Sequence, residues 1–324
     1  MSAQHADPIQ QFVQFLYSDL PAENEFETAR PKLAHYSSLF VLESMLKNDE
    51  LWLSNPLVMN DYEEVAFGIN ASLRAIYQHE RLLNSLQTKQ RCDLFLASFQ
   101  SCYDEYGTSE IAELYVGCLS QYDDREPNGK LSMWRAYGAD GGGAAIVLDT
   151  AKLTSVPQRG LVLAKVVYGT AQERLAWINR LFSSVAEFLR KVEFDDAAVP
   201  TLAKEVFKRI VLASIFSKDV GFREEQEWRL AYLKDRDPES QFEKMKSYSI
   251  SGRGIEPRLK LNMGALSRIF GMDYSYENLA DAVILGPTAS TPISVMATRK
   301  MLQEFKKTTL AKKVRGANIP YRRQ

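Results

Sequence analysis

Two long stretches of helical pattern interrupt the strand-like segments of this chain and constrain its fold more than any other feature. They occupy residues 62–106 and 171–219, and the second breaks near residues 194–200. Apolar residues in the second stretch recur at helical spacing and share one face. They are Leu175, Ile178, Phe182 and Val185. The strand-like runs lie at residues 33–37, 51–54, 114–120, 144–148, 161–168, 227–233 and 282–285. We therefore predict an α+β fold, a small mixed sheet core with long helical insertions.

The composition is that of an ordinary globular protein with balanced charge. Hydrophobic residues make up 45%, and 40 Lys and Arg oppose 41 Asp and Glu. This charge balance excludes a protein that binds nucleic acid over its whole surface. The three cysteines are Cys92, Cys102 and Cys118, and no CxxC pair occurs. That pattern argues against a disulfide framework and a structural zinc site, so we expect a reducing, cytoplasmic compartment and no bound metal.

The domain prediction has three parts. They are an N-terminal helix and linker over residues 1–30, a single domain over 31–305 with insertions near 62–110 and 171–219, and a basic tail over 306–324. No secretory signal and no membrane span are expected, because no basic region precedes an apolar stretch and no run of about 18 apolar residues occurs. The tail holds seven Lys or Arg and no acid. It could contact nucleic acid, but its single tyrosine favours a solvated terminus.

His35 is the first candidate site residue. It lies inside an apolar strand-like run, beside Tyr36 and Ser37. Such an imidazole can hydrogen-bond a ligand through one nitrogen while a backbone carbonyl holds the other. The alternative is a satisfied histidine of the core or of an edge strand.

Asn60 and Asp61 follow the second strand-like run, and Glu64 lies shortly after them. This pattern caps a helix, with Glu64 closing a capping box. The same acceptors could bind a ribose or a metal, but capping explains everything visible in the sequence and is favoured.

Trp134 and Tyr137 lie three residues apart in a short segment that Gly138 ends. They would share a face of a helix. They could clamp a flat ring such as nicotinamide or adenine, or they could fill the core beneath a loop. The triple glycine Gly141-Gly142-Gly143 is no dinucleotide fingerprint, and we predict that it allows close backbone approach at a strand start.

Glu225, Glu227 and Arg229 alternate at the start of a strand-like run, so we predict that they point to one side of a sheet. A carboxylate there could act as a general base or stabilise an oxocarbenium-like centre. The alternative is an ordinary Glu–Arg pair on an exposed sheet face.

Together these motifs resemble the family filed as domain of unknown function 2971 (DUF2971). The similarity covers about residues 31–290. It is carried by His35-Tyr36, residues 51–56, Asn60-Asp61, Glu64, residues 118–120, Met133-Trp134, Tyr137, Gly221-Phe222, Glu225, residues 227–229 and residues 283–287.

The order of elements is also similar to the ADP-ribosyltransferase fold. That resemblance implies that His35 and Tyr36 hold NAD, that Trp134 or Tyr137 stacks on nicotinamide, and that Glu225 or Glu227 stabilises the developing positive charge. It further implies binding roles for Ser54, Asn60, Asp61 and Arg229. We then expect His35 and Glu227 to face each other across one hollow.

The resemblance predicts an NAD-consuming enzyme, an ADP-ribosyltransferase or NAD glycohydrolase, in the setting of a bacterial toxin or phage-defence effector. Two alternatives stay open. One is a non-catalytic module that binds a nucleotide or a protein. The other is a metal-dependent nuclease in which Asp61, Glu64, Glu225 and Glu227 gather divalent ions.

Overall fold

The computed structural model describes residues 7–18, 24–59, 62–153, 160–251 and 254–321. The chain forms two compact units. The helical unit draws on Met1–Ala22, Pro56–Glu113 and Val167–Phe222, and the sheet unit on Glu23–Asn55, Leu114–Val166 and Arg223–Gln324. Both predicted helical insertions fall in the helical unit. No helix in the described ranges has the length and apolarity needed to cross a membrane.

The helices are α1 (Pro8–Leu16), α2 (Asn24–Ala29), α3 (Leu39–Asn48), α4 (Tyr62–Ile76), α5 (Glu80–Ser85), α6 (Lys89–Thr108), α7 (Leu131–Ala136), α8 (Ala171–Leu189), α9 (Val199–Ile215), α10 (Met263–Phe270), α11 (Tyr276–Leu279), α12 (Pro292–Glu304) and α13 (Thr308–Ala311). The strands are β1 (Lys32–Ser37), β2 (Glu50–Ser54), β3 (Tyr115–Tyr122), β4 (Ala144–Asp149), β5 (Leu161–Lys165), β6 (Val167–Gly169), β7 (Ser217–Asp219), β8 (Glu227–Tyr232), β9 (Lys246–Ser251), β10 (Gly254–Asn262), β11 (Ala280–Leu285) and β12 (Val314–Gly316).

The helical unit follows its sequence pattern closely. Thr170 and Glu173 form a capping box that begins α8, which satisfies two backbone N–H groups at the helix start. Ile178, Phe182 and Val185 are buried along one face of α8, as their spacing predicts. The predicted break falls between α8 and α9, and Pro200 occupies the first turn of α9, where proline is tolerated. Strands β6 and β7 add a short parallel pair.

The sheet unit contains one ten-stranded sheet. Its main order is β12-β11-β4-β1-β3-β2-β10-β9, with β8 also paired to β3 and β5 paired to β8. Because β11 and β12 pair in parallel and the other pairs are antiparallel, the sheet is mixed. The prediction of an α+β fold is confirmed, but the sheet is larger than predicted. The hairpin β9–β10 and strand β12 had no predicted counterpart.

Strand β3 is the point at which the sheet splits. Strand β8 pairs with one edge of β3 along Tyr115–Ser120. On the other edge, β1 pairs only with the end near Ser120, and β2 pairs only at Val116, opposite Ser54. Between these contacts, β1 and β2 diverge along residues 117–119 of β3. We call this opening the β1–β2 gap.

The strand register fixes which side chains share a face, because directly opposed residues point the same way and successive residues alternate. Ala34 lies opposite Ser120, and Ser120 lies opposite Glu227. One face, on which α7 packs through Trp134, therefore carries Ala34, Tyr36, Ser120, Glu227 and Arg229. We call it the α7 face. The opposite face carries Leu33, His35, Ser37, Leu119 and Trp228.

The predicted basic tail belongs largely to the sheet unit, which corrects its assignment as a solvated terminus. It forms α13 and β12, and β12 pairs with β11. Lys307 forms an ion pair with Asp49 at 2.8 Å, and Arg315 donates to the Tyr122 hydroxyl at 2.7 Å. These cations stabilise the C-terminal elements because they reach acceptors elsewhere in the same unit.

The triple glycine precedes β4 and allows the close backbone approach predicted for it. A Cβ added to Gly143 would lie 2.1 Å from the Ser37 carbonyl oxygen and 2.8 Å from that of Gly138. A Cβ on Gly142 would find its nearest atom, the Ala139 carbonyl oxygen, at 3.3 Å. Both Gly143 contacts are impossible without backbone movement, whereas the Gly142 contact is only tight.

We expect Gly143→Ala to lower the free energy of unfolding by about 1–3 kcal/mol, the usual range for overpacking a well-packed site. Gly142→Ala is the matched control, and we expect it to cost clearly less. Urea unfolding of the two variants measures the difference. If both variants lose the same free energy of unfolding, close approach to β1 is not the reason for glycine at position 143.

Candidate functional site

His35 lies at the β1–β2 gap with its ring against β3. Its Nδ1 is 3.1 Å from the Cys118 carbonyl oxygen, so Nδ1 carries the hydrogen and donates. Burial lowers the pKa of His35, the hydrogen bond to Cys118 opposes this, and the positive charge of Arg258 lowers the pKa further. The imidazole is therefore neutral at pH 7, and Nε2 is a hydrogen-bond acceptor.

Arg258 on β10 is a site residue that the sequence reasoning missed. Its Nη1 contacts the Ser54 hydroxyl on β2, and its Nε donates to the Ser249 hydroxyl at 3.0 Å. Its Nη2 pairs with the buried carboxylate of Glu256. The sequence did carry a signal, because Leu259 and Leu261 alternate with charged residues along Gly254–Asn262, as on a half-buried strand.

Glu227 and Arg229 form a buried ion pair on the α7 face. Arg229 Nε donates to Glu227 Oε1 at 2.7 Å, and Nη2 donates to Oε2 at 3.2 Å. The two side chains are 1% and 4% exposed for Arg229 and Glu227. Their predicted common face is confirmed by the register with Cys118 and Ser120. The alternative of an exposed pair is wrong, because the sheet face is covered here.

Glu225 lies outside the strand, which corrects its predicted alternation with Glu227. Gln226 has a φ of 46°, a left-handed conformation that turns the chain just before β8. Ser120 Oγ donates to the Glu225 carbonyl oxygen at 2.6 Å. The Tyr137 hydroxyl donates to Glu225 Oε1 at 3.0 Å. The Glu225 side chain is half-buried, so this carboxylate is more open to a ligand than that of Glu227.

Trp134 is a core residue and not a stacking platform, which corrects the ligand-clamping interpretation. It is fully buried, and its Nε1 donates to the Asn128 carbonyl oxygen at 2.8 Å. Its ring meets Tyr36 edge-on, with ring centroids 4.8 Å apart. Tyr36 is also buried, and burial raises its pKa to about 12. Both rings hold α7 on the sheet, and only Tyr137 of the predicted aromatic pair is half-buried.

The candidate residues therefore fall into separate groups. Arg258 contacts Ser54, and the register places both side chains on the α7 face. Tyr137 is joined to Glu225. Alternation places His35 and Glu227 on opposite faces of the sheet, so they do not face each other across one hollow as expected. Asn60 and Asp61 lie outside the described residues.

Metal-ligand geometry is not found in the described ranges, where no group of three His, Cys, Asp or Glu residues could hold an ion. Of the four acids proposed for a metal, Glu225 contacts Tyr137 and Glu227 contacts Arg229. Asp61 and the side chain of Glu64 are not among the described groups.

The structure thus defines an α+β protein with a neutral histidine at a split in a mixed sheet. The family model described as "Protein of unknown function (DUF2971)" matches residues 133–230, and the resemblance to DUF2971 is confirmed for that segment. The segment contains Trp134, Tyr137, Glu225, Glu227 and Arg229. No curated protein and no solved structure matches the chain.

Proposed function

We propose that this protein binds NAD at the β1–β2 gap and cleaves the bond between nicotinamide and ribose, as an ADP-ribosyltransferase or an NAD glycohydrolase. The observation that carries the proposal is the state of His35. Its Nδ1 is held by the Cys118 carbonyl, and its lowered pKa leaves Nε2 as an acceptor at an opening in the sheet.

An acceptor nitrogen suits a ribose hydroxyl, which can donate to it. The position of the His35 Nε2 atom is set before NAD binds, because the hydrogen bond to β3 fixes the ring. Such preorganisation reduces the cost of binding and of reaching the transition state. Ser54 offers a further hydroxyl where β2 leaves β3, on the α7 face of the sheet.

Bond cleavage needs stabilisation of positive charge on the ribose. The electron pair of the broken C–N bond leaves with nicotinamide, which becomes neutral, and water or an acceptor nucleophile attacks the anomeric carbon and releases a proton. A carboxylate stabilises the oxocarbenium-like centre. We assign this role to Glu225, because it is half-buried and oriented by Tyr137. Since Tyr137 and Glu225 lie on the α7 face and His35 on the opposite face, the proposal requires NAD to reach through the β1–β2 gap. The Glu227 carboxylate is occupied by Arg229.

The biological setting in this proposal is that of a cytoplasmic bacterial toxin or phage-defence effector. The small-molecule partner is the nucleotide NAD, and the acceptor of any transferred group is undetermined by the site. The setting rests on analogy with the ADP-ribosyltransferase superfamily, because a fold supports many functions.

The test is release of free nicotinamide from NAD by the purified full chain. We expect His35→Asn to reduce the rate about 10- to 100-fold, because loss of one positioning contact commonly has an effect of this size. The amide of Asn still has a donor for the Cys118 carbonyl but lacks the Nε2 acceptor. His79→Asn is the matched control, since His79 lies at the start of α5 in the helical unit.

Three other outcomes would contradict the proposal. Equal nicotinamide release by His35→Asn and the parent would remove its basis. Binding of NAD in calorimetry without nicotinamide release would favour the non-catalytic nucleotide-binding module. Nucleic-acid cleavage that a chelator abolishes would favour the metal-dependent nuclease.

A further inference from the structure

The hairpin β9–β10 presents exposed apolar side chains at one end of the sheet. Ile250 lies directly opposite Ile255, and Tyr248 lies opposite Pro257, so all four side chains share one face. Tyr248, Ile250 and Ile255 are 67%, 80% and 73% exposed. We call these three residues the hairpin patch. A group of adjacent exposed apolar side chains, unlike a single one, is typical of a surface that a partner covers.

Strand β9 is also an open edge of the sheet. Among the strands that the structure describes, β9 comes last in the sheet order and pairs with β10 alone. Its register with β10 runs without a bulge from Lys246 to Ser251, and residues 247–251 contain neither a charge nor a proline. Bulges, charges and prolines are the features that usually keep the outward N–H and C=O groups of an edge from pairing with another strand. Over residues 247–251, β9 therefore has no such protection.

The sequence of β9 is complementary to itself. When two copies of β9 run antiparallel about Ser249, Tyr248 of each copy lies opposite Ile250 of the other. An aromatic ring and a β-branched side chain form a favourable cross-strand pair. Ser249 lies opposite its own copy, and no like charges are opposed along residues 247–251. A two-fold axis can therefore pair the open edge and cover the hairpin patch with this chain alone.

We propose that β9 is a homodimer interface, in which a second copy of this chain pairs its own β9 antiparallel about Ser249 and covers the hairpin patch. The same surface is used by both copies, so the contact closes at two copies and leaves no β9 edge for a third. The dimer has one continuous sheet with ten strands from each copy. Neither NAD nor the residues of the proposed catalytic site take part in this contact.

Sedimentation of the full chain over a range of concentrations, without NAD, tests the proposal. We expect the parent to form a species with twice the mass of one chain. Ile250→Lys should raise the dissociation constant of the dimer about 100-fold, because the two-fold axis brings the added charge into the interface twice. Ile293→Lys is the matched control, since Ile293 is 63% exposed at the start of α12. Circular dichroism checks that both variants fold.

A cysteine placed on the two-fold axis tests the register. Directly opposed residues of antiparallel strands have Cα atoms about 4.5–5.5 Å apart, a distance that a disulfide spans. Under mild oxidation we expect Ser249→Cys to give a cross-linked dimer at least about tenfold faster than Ser247→Cys, because position 247 is about 13 Å from its own copy. The parent, with Cys92, Cys102 and Cys118, measures the background.

Three results would overturn the proposal. The first is a parent that stays monomeric at every concentration, and the hairpin patch would then serve a different partner. The second is a dimer that is equally strong in Ile250→Lys and Ile293→Lys, because the interface would then lie elsewhere. The third is association that continues beyond two copies, which a closed two-fold contact does not allow. Faster cross-linking of Ser247→Cys than of Ser249→Cys would overturn the pairing about Ser249.

Discussion

Arg229→Met is expected to lower the free energy of unfolding by about 3–5 kcal/mol, because it leaves the Glu227 carboxylate charged, buried and without its guanidinium partner. The contact consists of two hydrogen bonds, at 2.7 and 3.2 Å, and both side chains are almost completely buried. Urea unfolding followed by tryptophan fluorescence measures the loss, since Trp134 and Trp228 are both buried in the sheet unit.

The double variant Glu227→Leu/Arg229→Met distinguishes burial of a carboxylate that has lost Arg229 from loss of packing. We expect it to recover most of the stability, because apolar replacement of a buried ion pair is often neutral or stabilising. Lys47→Met is the control for an exposed pair, since Lys47 contacts Glu43 within α3 at 3.7 Å and such pairs contribute little. A double variant as unstable as Arg229→Met would show that the ion pair does not determine the loss.

The same double variant separates the two candidate carboxylates. The proposed function gives the charge-stabilising role to Glu225 and a structural role to Glu227. Nicotinamide release that persists in a folded double variant, and that falls in Glu225→Gln, supports this division. If nicotinamide release is lost in the folded double variant and kept in Glu225→Gln, then Glu227 stabilises the developing positive charge. The ADP-ribosyltransferase resemblance allowed this assignment as well.

Local pattern was sufficient to predict parts of this fold. The alternation of Glu227 and Arg229, the helical face of Ile178 and Phe182, and the run of glycines that ends at position 143 are properties of a few consecutive residues. Each is visible in the structure. These features follow from the periods of helices and strands and from the size of a Cβ atom.

Relations between distant strands could not be predicted in the same way. Whether His35 and Glu227 share a face depends on the register of β1 with β3 and of β3 with β8, and a shift of one residue would reverse the answer. Arg258 was missed for a related reason. Its strand contains Pro257 and three charged residues, which weaken a local strand signal although pairing with β2 and β9 overrides it.

Trp134→Ala is expected to lower the free energy of unfolding by about 3–5 kcal/mol, the usual cost of removing a large aromatic side chain from a core. The indole is fully buried among Tyr36, Met133 and Ala145. Its hydrogen bond to Asn128 would also be lost. Chemical denaturation measures this effect, and Tyr137→Phe is the control, because it removes only the hydroxyl that donates to Glu225.

Trp134→Phe then separates a core role from a ligand role. If Trp134 serves only to hold α7 on the sheet, Trp134→Phe retains NAD turnover and loses part of the stability. Tyr137→Phe should show the opposite behaviour, with stability nearly unchanged and turnover reduced, because Glu225 loses the group that orients its carboxylate. Loss of NAD binding in a stably folded Trp134→Phe variant would mean that the indole contacts the ligand after all, which would require α7 to move from the position seen here.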